Sequence, residues 1–154
     1  MESPLDIKTI VATLNKDLPL HSMWDGFWIS RFKGKELNIS CSFDRSYYRN
    51  YDIIFKDVIF FNLPSEWRDT DIYGDDLIRL SNKTEFGQHH PNFNTEEYNI
   101  FAIDIHFNSK EYSFFVVSKR VYLFKCEGQH CFPEVDYKEP FTNEPFPCTK
   151  NRVL

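Results

Sequence analysis

The feature of this sequence that most limits its possible folds is a two-residue period in the placement of apolar side chains. Apolar residues occupy every second position of residues 101–107 and again of residues 37–43. Successive side chains of a β-strand point to opposite faces of a sheet, so this spacing predicts strands with one buried face. The short polar stretches 33–35 and 108–110 lie beside these strands and predict tight turns, which join antiparallel neighbours.

Two further patterns extend the predicted sheet. Residues 112–117 and 121–126 resemble strands, and with residues 100–107 they predict an antiparallel meander of three strands. Residues 51–61 are apolar on both faces, which is typical of a central strand that is covered on both sides. The sheet is therefore expected to extend over residues 26–126.

Residues 3–18 have the pattern of an amphipathic helix. Ser3 is a suitable N-cap, Pro4 fits the first helical position, and Pro19 ends the helix. Apolar residues recur at spacings of three and four and form one stripe, which consists of Ile7, Ile10, Val11, Leu14 and Leu18. We expect this stripe to pack on one face of the sheet.

Together these elements predict a single α+β domain over residues 1–154. We expect a five- or six-stranded, mostly antiparallel sheet with the N-terminal helix on one face. Residues 127–154 hold four of the eight prolines, which predicts an irregular, extended C-terminal tail that lies over the sheet or is partly free. Aromatic residues make up 18% of the chain, which is enough to build a sizeable core.

The overall charge and the lack of long apolar runs argue against several kinds of partner. The formal net charge is −5, which disfavours a protein that binds nucleic acid along a broad face. No stretch approaches about 18 apolar residues, so no membrane span is predicted. The opening residues lack the basic start and apolar run of a secretory signal, which predicts a cytoplasmic protein.

Most of the negative charge lies in two stretches that also contain aromatic residues. Residues 64–76 have five acidic residues against one arginine, and residues 127–148 have five against one lysine. Such runs are commonly solvated loops, but acidic groups beside exposed aromatic rings also suit a docking surface for a basic protein. On this interpretation the partner-binding residues are Trp67, Asp69, Asp71, Tyr73, Asp75 and Asp76. The alternative partner-binding set is Glu134, Asp136, Tyr137 and Glu139.

Two arrangements imitate metal sites. The stretch that starts at Asp69 begins like an EF-hand loop, but Tyr73 and Leu80 occupy its fifth and twelfth positions, where oxygen ligands belong. A second set has the ligand types of structural zinc but lacks the usual paired spacing, and it consists of Cys126, His130, Cys131 and Cys148. Zinc, a disulfide and unlinked cysteines all remain open for this set. We predict no metal site and no cofactor.

No catalytic motif is present. The five glycines are scattered, and neither a nucleotide-binding loop nor a nucleophile elbow occurs. His89 and His90 are adjacent in a loop-like stretch and are expected at the surface. Asp104 and His106 share a strand face and could form a general base, although no nucleophile is assigned near them. We predict no catalytic residues.

A small acidic domain with aromatic-rich loops and no catalytic motif resembles the cytoplasmic immunity proteins of bacterial toxin–immunity pairs, including contact-dependent inhibition systems. The resemblance is one of type and assigns no role to an individual residue. It implies a non-catalytic protein that neutralises a basic toxin domain by docking an acidic surface on it. Two alternatives remain open. One is a small-ligand-binding domain or enzyme with a pocket between sheet and helix, and the other is a viral or assembly accessory protein.

Overall fold

The computed structural model describes residues 6–23, 25–43 and 50–125, which form two helices and two antiparallel sheets. The helices are α1 (Ile7–Asp17) and α2 (Lys83–His89), and a 3-10 turn spans Asp69–Asp71. The strands are β1 (Gly26–Lys33), β2 (Glu36–Ser42), β3 (Tyr51–Lys56), β4 (Phe60–Phe61), β5 (Glu66–Trp67), β6 (Arg79–Leu80), β7 (Asn99–Phe107), β8 (Lys110–Ser118) and β9 (Arg120–Lys125). The five-stranded sheet has the order β5-β1-β2-β3-β9, and the four-stranded sheet has the order β4-β8-β7-β6.

The α+β class, the antiparallel pairing and the N-terminal helix are confirmed. The strands are divided between two sheets, one of which has the predicted five strands. α1 begins at Ile7, later than the predicted start at Ser3, and Asp6 precedes it as the N-cap. Ser3 and the predicted tail, residues 127–154, lie outside the described residues.

The chain passes between the two sheets four times, and two of these crossings share one corner. After β3 ends at Lys56, Asp57 adopts a φ of 57° and the chain continues as β4 in the other sheet. After β8 ends at Ser118, the chain returns as β9 and pairs with β3. The N–H of Lys119 donates to the carbonyl oxygen of Lys56 at 3.2 Å, and Arg120 Nη2 lies 2.9 Å from Asp57 Oδ2. These two bonds join the crossings to each other.

This corner corrects two predictions about the strands. The stretch 51–61 is not one central strand, because it bends at Asp57 and contributes β3 to one sheet and β4 to the other. The meander of three strands over 100–126 is also wrong. β7 and β8 form a hairpin, but β9 pairs with β3 because the chain bends at Lys119 instead of turning back onto β8.

The main hydrophobic core lies between the two sheets. Phe55 of β3 and Phe101 of β7 are fully buried, and their ring centroids are 5.2 Å apart. α1 adds Leu14 to this core. The side-chain amide of Asn15 anchors the helix, since it donates to the carbonyl oxygen of Ile78 at 2.7 Å and accepts from the N–H of Ile78 at 3.2 Å.

A smaller core lies on the opposite face of the four-stranded sheet. There α2 packs Phe86 against Phe115 of β8, with ring centroids 5.4 Å apart. α2 starts with a capping bond, in which Asn82 Oδ1 accepts from the N–H of Glu85 at 2.8 Å. Neither α1 nor α2 has the length and apolar character that a membrane crossing needs, and no other helix lies in the described ranges.

Candidate functional site

The acidic loop, residues 71–76, lies along the edge of β7 that β6 also occupies. Ile72 bridges to Ile105, and the N–H of Tyr73 donates to the carbonyl oxygen of Asp104 at 3.2 Å. Because Ile72 points into the core, the next residue points away from it. The ring of Tyr73 therefore meets the imidazole of His106, with centroids 4.9 Å apart. The pairing with β7 thus brings the acidic loop next to the β7–β8 hairpin.

Two of the predicted partner-binding residues, Trp67 and Asp69, are not on the surface. Trp67 is 5% exposed because β5 pairs with β1 and turns the indole into the core, where it stacks on Phe27 at a centroid distance of 5.6 Å. Asp69 is 1% exposed in the 3-10 turn that follows β5. Neither side chain can contact a partner without a rearrangement of this edge of the sheet.

The carboxylate of Asp69 is buried in surroundings that disfavour its charged form. Neither of its oxygens has a hydrogen-bond partner of good geometry among the residues the structure describes. Burial raises the pKa of this carboxyl above its usual value of 3.8. The nearby imidazole of His21 and the main chain at Met23 and Thr70 offset only part of that effect.

The other four residues of the first predicted set lie at the surface. Asp75 and Asp76 are exposed, and Asp71 and Tyr73 are half-buried. Asp71 also has a structural task, because its Oδ2 accepts from the N–H of Arg68 at 2.9 Å and closes the turn. The carboxylates of Asp75 and Asp76 are therefore the part of this set that is most accessible to a partner.

The β7–β8 hairpin adds exposed aromatic rings that the sequence did not single out. Phe107 is 53% exposed and Tyr112 is 41% exposed, whereas Ile105 on the same sheet face is 1% exposed. The other sheet therefore covers this face only as far as Ile105. The carboxylate of Glu111, next to Tyr112, is also well exposed. The apolar alternation predicts the face of each residue, but it does not tell where the opposite sheet ends.

A pocket of about 460 Å³ opens between α2 and the hairpin. Its lining includes Tyr73 from the acidic loop, Glu111, Tyr112 and Ser113 from β8, and His89 from the end of α2. Among the described residues that line it there is no lysine or arginine, so Glu111 supplies their only permanently charged side chain. The pocket is therefore suited to a cationic group.

Below the pocket, Arg79 of β6 binds two carboxylates at once. Its Nη1 and Nη2 donate to Glu85 of α2 at 2.8 and 2.6 Å, and its Nε donates to Asp104 Oδ2 of β7 at 2.8 Å. Ser113 Oγ donates to the other oxygen of Asp104 at 2.7 Å, and Ser81 Oγ donates to Glu85 at 2.9 Å. One cation and two anions leave this cluster with a net charge of −1.

The pKa values in this cluster follow from those contacts. Hydrogen bonds from Arg79 hold the pKa of Glu85 below its usual 4.5. Burial raises the pKa of Asp104, but hydrogen bonds from Arg79 and Ser113 outweigh burial and bring it below 3.8. Hydrogen bonds from both carboxylates raise the pKa of Arg79. All three groups are therefore ionised at neutral pH.

Asp104 and His106 do not form the candidate general base, because the carboxylate and the imidazole have different partners. Asp104 is bonded to Arg79 and Ser113, whereas His106 lies against Tyr73 and has its Nε2 4.0 Å from Glu111. Neither residue of the pair lines the pocket. The physical reason is that Arg79 binds the same carboxylate through a charge-assisted bond.

The adjacent histidines of α2 have different surroundings. His89 is exposed, in agreement with the expectation. His90 is half-buried, because its ring packs 4.6 Å from Phe60 and 4.9 Å from Phe86. Of the two, only His89 is exposed to solvent.

Several predicted residues lie outside the described ranges. They are the alternative partner-binding set, Glu134, Asp136, Tyr137 and Glu139, and the candidate zinc or disulfide set, Cys126, His130, Cys131 and Cys148. Within residues 6–23, 25–43 and 50–125, no group of three or more histidine, cysteine, aspartate or glutamate side chains is placed to hold a metal ion.

Comparison of the chain with protein-family models, with curated proteins and with solved structures finds no match.

Proposed function

We propose that this protein is a non-catalytic binding protein of the immunity type, which neutralises a basic protein partner by docking on it. The docking surface, here called the acidic hairpin surface, consists of Asp71, Tyr73, Asp75, Asp76, Phe107, Glu111 and Tyr112. The single observation that carries this proposal is the exposure of Phe107 and Tyr112, at 53% and 41%, on a hairpin that the acidic loop contacts through Tyr73.

The chemistry of the surface supports this proposal in two ways. Exposed aromatic rings supply most of the binding energy at protein interfaces, because they bury a large rigid area at a small entropic cost. Carboxylates such as Asp75 and Asp76 attract a basic partner over distances of about 10 Å and mainly raise the rate of association. Both kinds of residue lie at one end of the four-stranded sheet, where Tyr73 of the acidic loop contacts His106 of the hairpin.

The pocket beside this surface is the proposed position for one basic side chain of the partner. Tyr73 can place its ring against a guanidinium or ammonium group, and Glu111 can pair with its charge. The net negative charge of the Arg79 cluster below the pocket favours the same cation. A buried arginine anchor of this kind is a common energetic centre of interfaces.

The test begins with capture of the partner from the native cell lysate at low and at high salt, with identification by mass spectrometry. We expect one stoichiometric basic protein whose capture weakens with salt. The activity of that partner is then measured in the presence and in the absence of the present protein. Inhibition at a one-to-one ratio is expected of an immunity protein, and full activity in the complex would refute the proposed function.

Matched variants then locate the surface. Tyr112→Ala is expected to weaken the complex by roughly tenfold or more, mainly through faster dissociation. The double variant Asp75→Asn/Asp76→Asn is expected to slow association and reduce its salt dependence. The control is Glu96→Gln/Glu97→Gln, which removes two exposed carboxylates near the start of β7, away from the hairpin. Equal effects of the two double variants would show that the acidic loop has no special role.

A further inference from the structure

The pocket beside the acidic hairpin surface lies along one edge of β8. Consecutive residues of β8, Glu111–Phe115, line it, together with Asn62, which follows β4. Successive side chains of a strand point to opposite faces of a sheet, so such an unbroken run lines one pocket where the pocket meets the edge of the strand. The lining also includes His89 at the end of α2 and the next residue, His90. The pocket is therefore a groove between the end of α2 and the edge of the four-stranded sheet.

β4 occupies only one part of this edge. The N–H of Asn62 donates to the carbonyl oxygen of Phe115 at 3.2 Å, and Asn62 Oδ1 accepts from the N–H of Phe115 at 2.7 Å. A side chain thus completes this last pair in place of the main chain. The main chain then leaves the edge, because the carbonyl oxygen of Ser65 already accepts from the N–H of Ile29 in the other sheet.

The main-chain groups of Glu111 and Ser113 point out of the same edge. In an antiparallel sheet, successive residues of a strand direct their N–H and carbonyl groups to opposite neighbours. Phe115 directs both groups toward Asn62, so Ser113 and Glu111 direct theirs the same way, and the residues between them bond to β7. Among the residues that the structure describes, no main chain pairs with β8 beyond Asn62. Two N–H groups and two carbonyl groups are therefore presented along the groove.

The two faces beside this edge differ in chemistry. The side chains of Glu111 and Ser113 lie on the face of the Arg79 cluster, to which Ser113 bonds through Asp104. Tyr112 lies on the opposite face beside Phe114, with ring centroids 5.8 Å apart, and its own side is 41% exposed. A strand that pairs with this edge therefore places alternate side chains beside carboxylates and beside aromatic rings.

We propose that an extended segment of the basic partner binds this edge as an added antiparallel strand, with basic side chains on the face of Glu111 and apolar side chains on the face of Tyr112. This inference rests on the proposed function and names the part of the partner that binds. Charge favours such a segment over a second copy of this chain, which would bring another Glu111 and another net charge of −5 to the same edge. Antiparallel pairing continues the direction of β4 along β8.

The test uses the full chain and a blocked hexapeptide in which arginine and valine alternate, and it measures amide hydrogen exchange by nuclear magnetic resonance. In the free protein we expect the amides of Glu111 and Ser113 to exchange fast, whereas β7 protects those of Tyr112 and Phe114. Half-saturation is expected on the order of 1 mM, because few hydrogen bonds form. At about 10 mM peptide, exchange at Glu111 and Ser113 should therefore slow about tenfold.

Two methylated peptides provide a matched control for the direction of the hydrogen bonds. Residues that pair directly with Glu111 and Ser113 place their side chains on the same face as these two residues, and in this peptide they are the arginines. N-methylation of the arginines removes the N–H groups that reach β8 and should abolish the protection, whereas N-methylation of the valines should preserve it. The same effect of both methylations would overturn the proposal, as would equal protection by a peptide with glutamate in place of arginine.

Other outcomes also overturn the proposal. Slow exchange of the Glu111 and Ser113 amides in the free protein would show that the edge is already occupied, and protection that grows with protein concentration would identify a second copy as the occupant. No added protection at about 10 mM of the arginine–valine peptide overturns it as well.

Failure of this inference is distinguishable from failure of the proposed function. A captured partner that keeps full activity in the complex refutes the function, even where the peptide binds. A partner that is inhibited while the amides of Glu111 and Ser113 stay unprotected in the complex refutes only the added strand.

Discussion

Arg79 and Asp104 join the edge strand β6 to β7 through two hydrogen bonds, from Nε at 2.8 Å and from Nη2 at 3.0 Å. The Asp104 side chain is only 13% exposed, so its ionised form is stabilised by Arg79 and little by water. The same guanidinium binds Glu85 and ties α2 to the sheet. One side chain therefore holds together the strand, the helix and the floor of the candidate site.

The first prediction concerns the loss of this cation. Arg79→Met leaves Asp104 and Glu85 close together without a positive charge, and we expect a loss of about 2 kcal/mol in the free energy of unfolding. The value is modest because the guanidinium is 34% exposed. The control is Arg120→Met, which breaks the exposed pair with Asp57 and should leave the urea midpoint nearly unchanged. Similar midpoints for both variants would contradict the prediction.

The second prediction concerns the acid side of the stability curve. The pKa values of Glu85 and Asp104 are lower in the folded chain than their usual values of 4.5 and 3.8. The unfolded chain therefore binds more protons in this range, and stability rises with pH. The contribution is complete above the unfolded pKa values and is lost as pH falls through the folded ones. In urea unfolding between about pH 6 and pH 3, Arg79→Met should lose less stability than the wild type. Parallel curves would refute the assignment.

The third prediction has the opposite sign, because burial raises the pKa of Asp69. The folded chain keeps this proton at pH values where the unfolded chain has lost it. The contribution of Asp69 is therefore present below pH 3.8 and is lost as pH rises through the folded pKa. Asp69→Asn removes the charge, so the variant should gain roughly 1–2 kcal/mol over the wild type near neutral pH. Asp75→Asn, at an exposed position, should show no such gain. A less stable Asp69→Asn at neutral pH would mean that the carboxylate is needed.

The fourth prediction tests the approach of β5 to β1. Gly26 has a φ of 86°, and a Cβ at this position would overlap the carbonyl oxygen of Trp67. Gly34 has a φ of 59° with open space around it. Gly34→Ala should therefore cost about 1 kcal/mol from backbone strain alone, whereas Gly26→Ala should cost at least about 2–3 kcal/mol. Thermal unfolding of both variants measures the difference, and equal costs would argue against the close approach.

The fifth prediction separates the core aromatic residue from the surface aromatic residues. Trp67→Ala should lower the free energy of unfolding by about 3–5 kcal/mol, because it leaves a cavity beside Phe27. Tyr112→Ala and Phe107→Ala should change it by no more than about 1 kcal/mol, since both rings are largely in solvent. A large loss of stability for Tyr112→Ala would mean that its ring supports the fold, and its use as a docking probe would then fail.

The candidate site shows where sequence reasoning was sufficient and where it was not. The sequence was sufficient to predict that Asp75 and Asp76 lie in an exposed loop, because runs of acidic residues are commonly solvated. The burial of Trp67 could not be predicted from the sequence, because β5 has only two residues and shows no strand period until its pairing with β1 is known. The pairing of Asp104 with Arg79 joins positions 25 residues apart, and no local spacing indicates it.

The sequence by itself determined the α+β class, the strand faces and the N-terminal helix, because these follow from periodicity and from proline and glycine positions within a few residues. Only the tertiary structure decided the division into two sheets, since that depends on bends at Asp57 and Lys119 that bring distant parts of the chain together. It also decided which aromatic rings are exposed. Exposure depends on where the opposite layer ends, as the step from Ile105 to Phe107 shows, and that is a property of packing between elements.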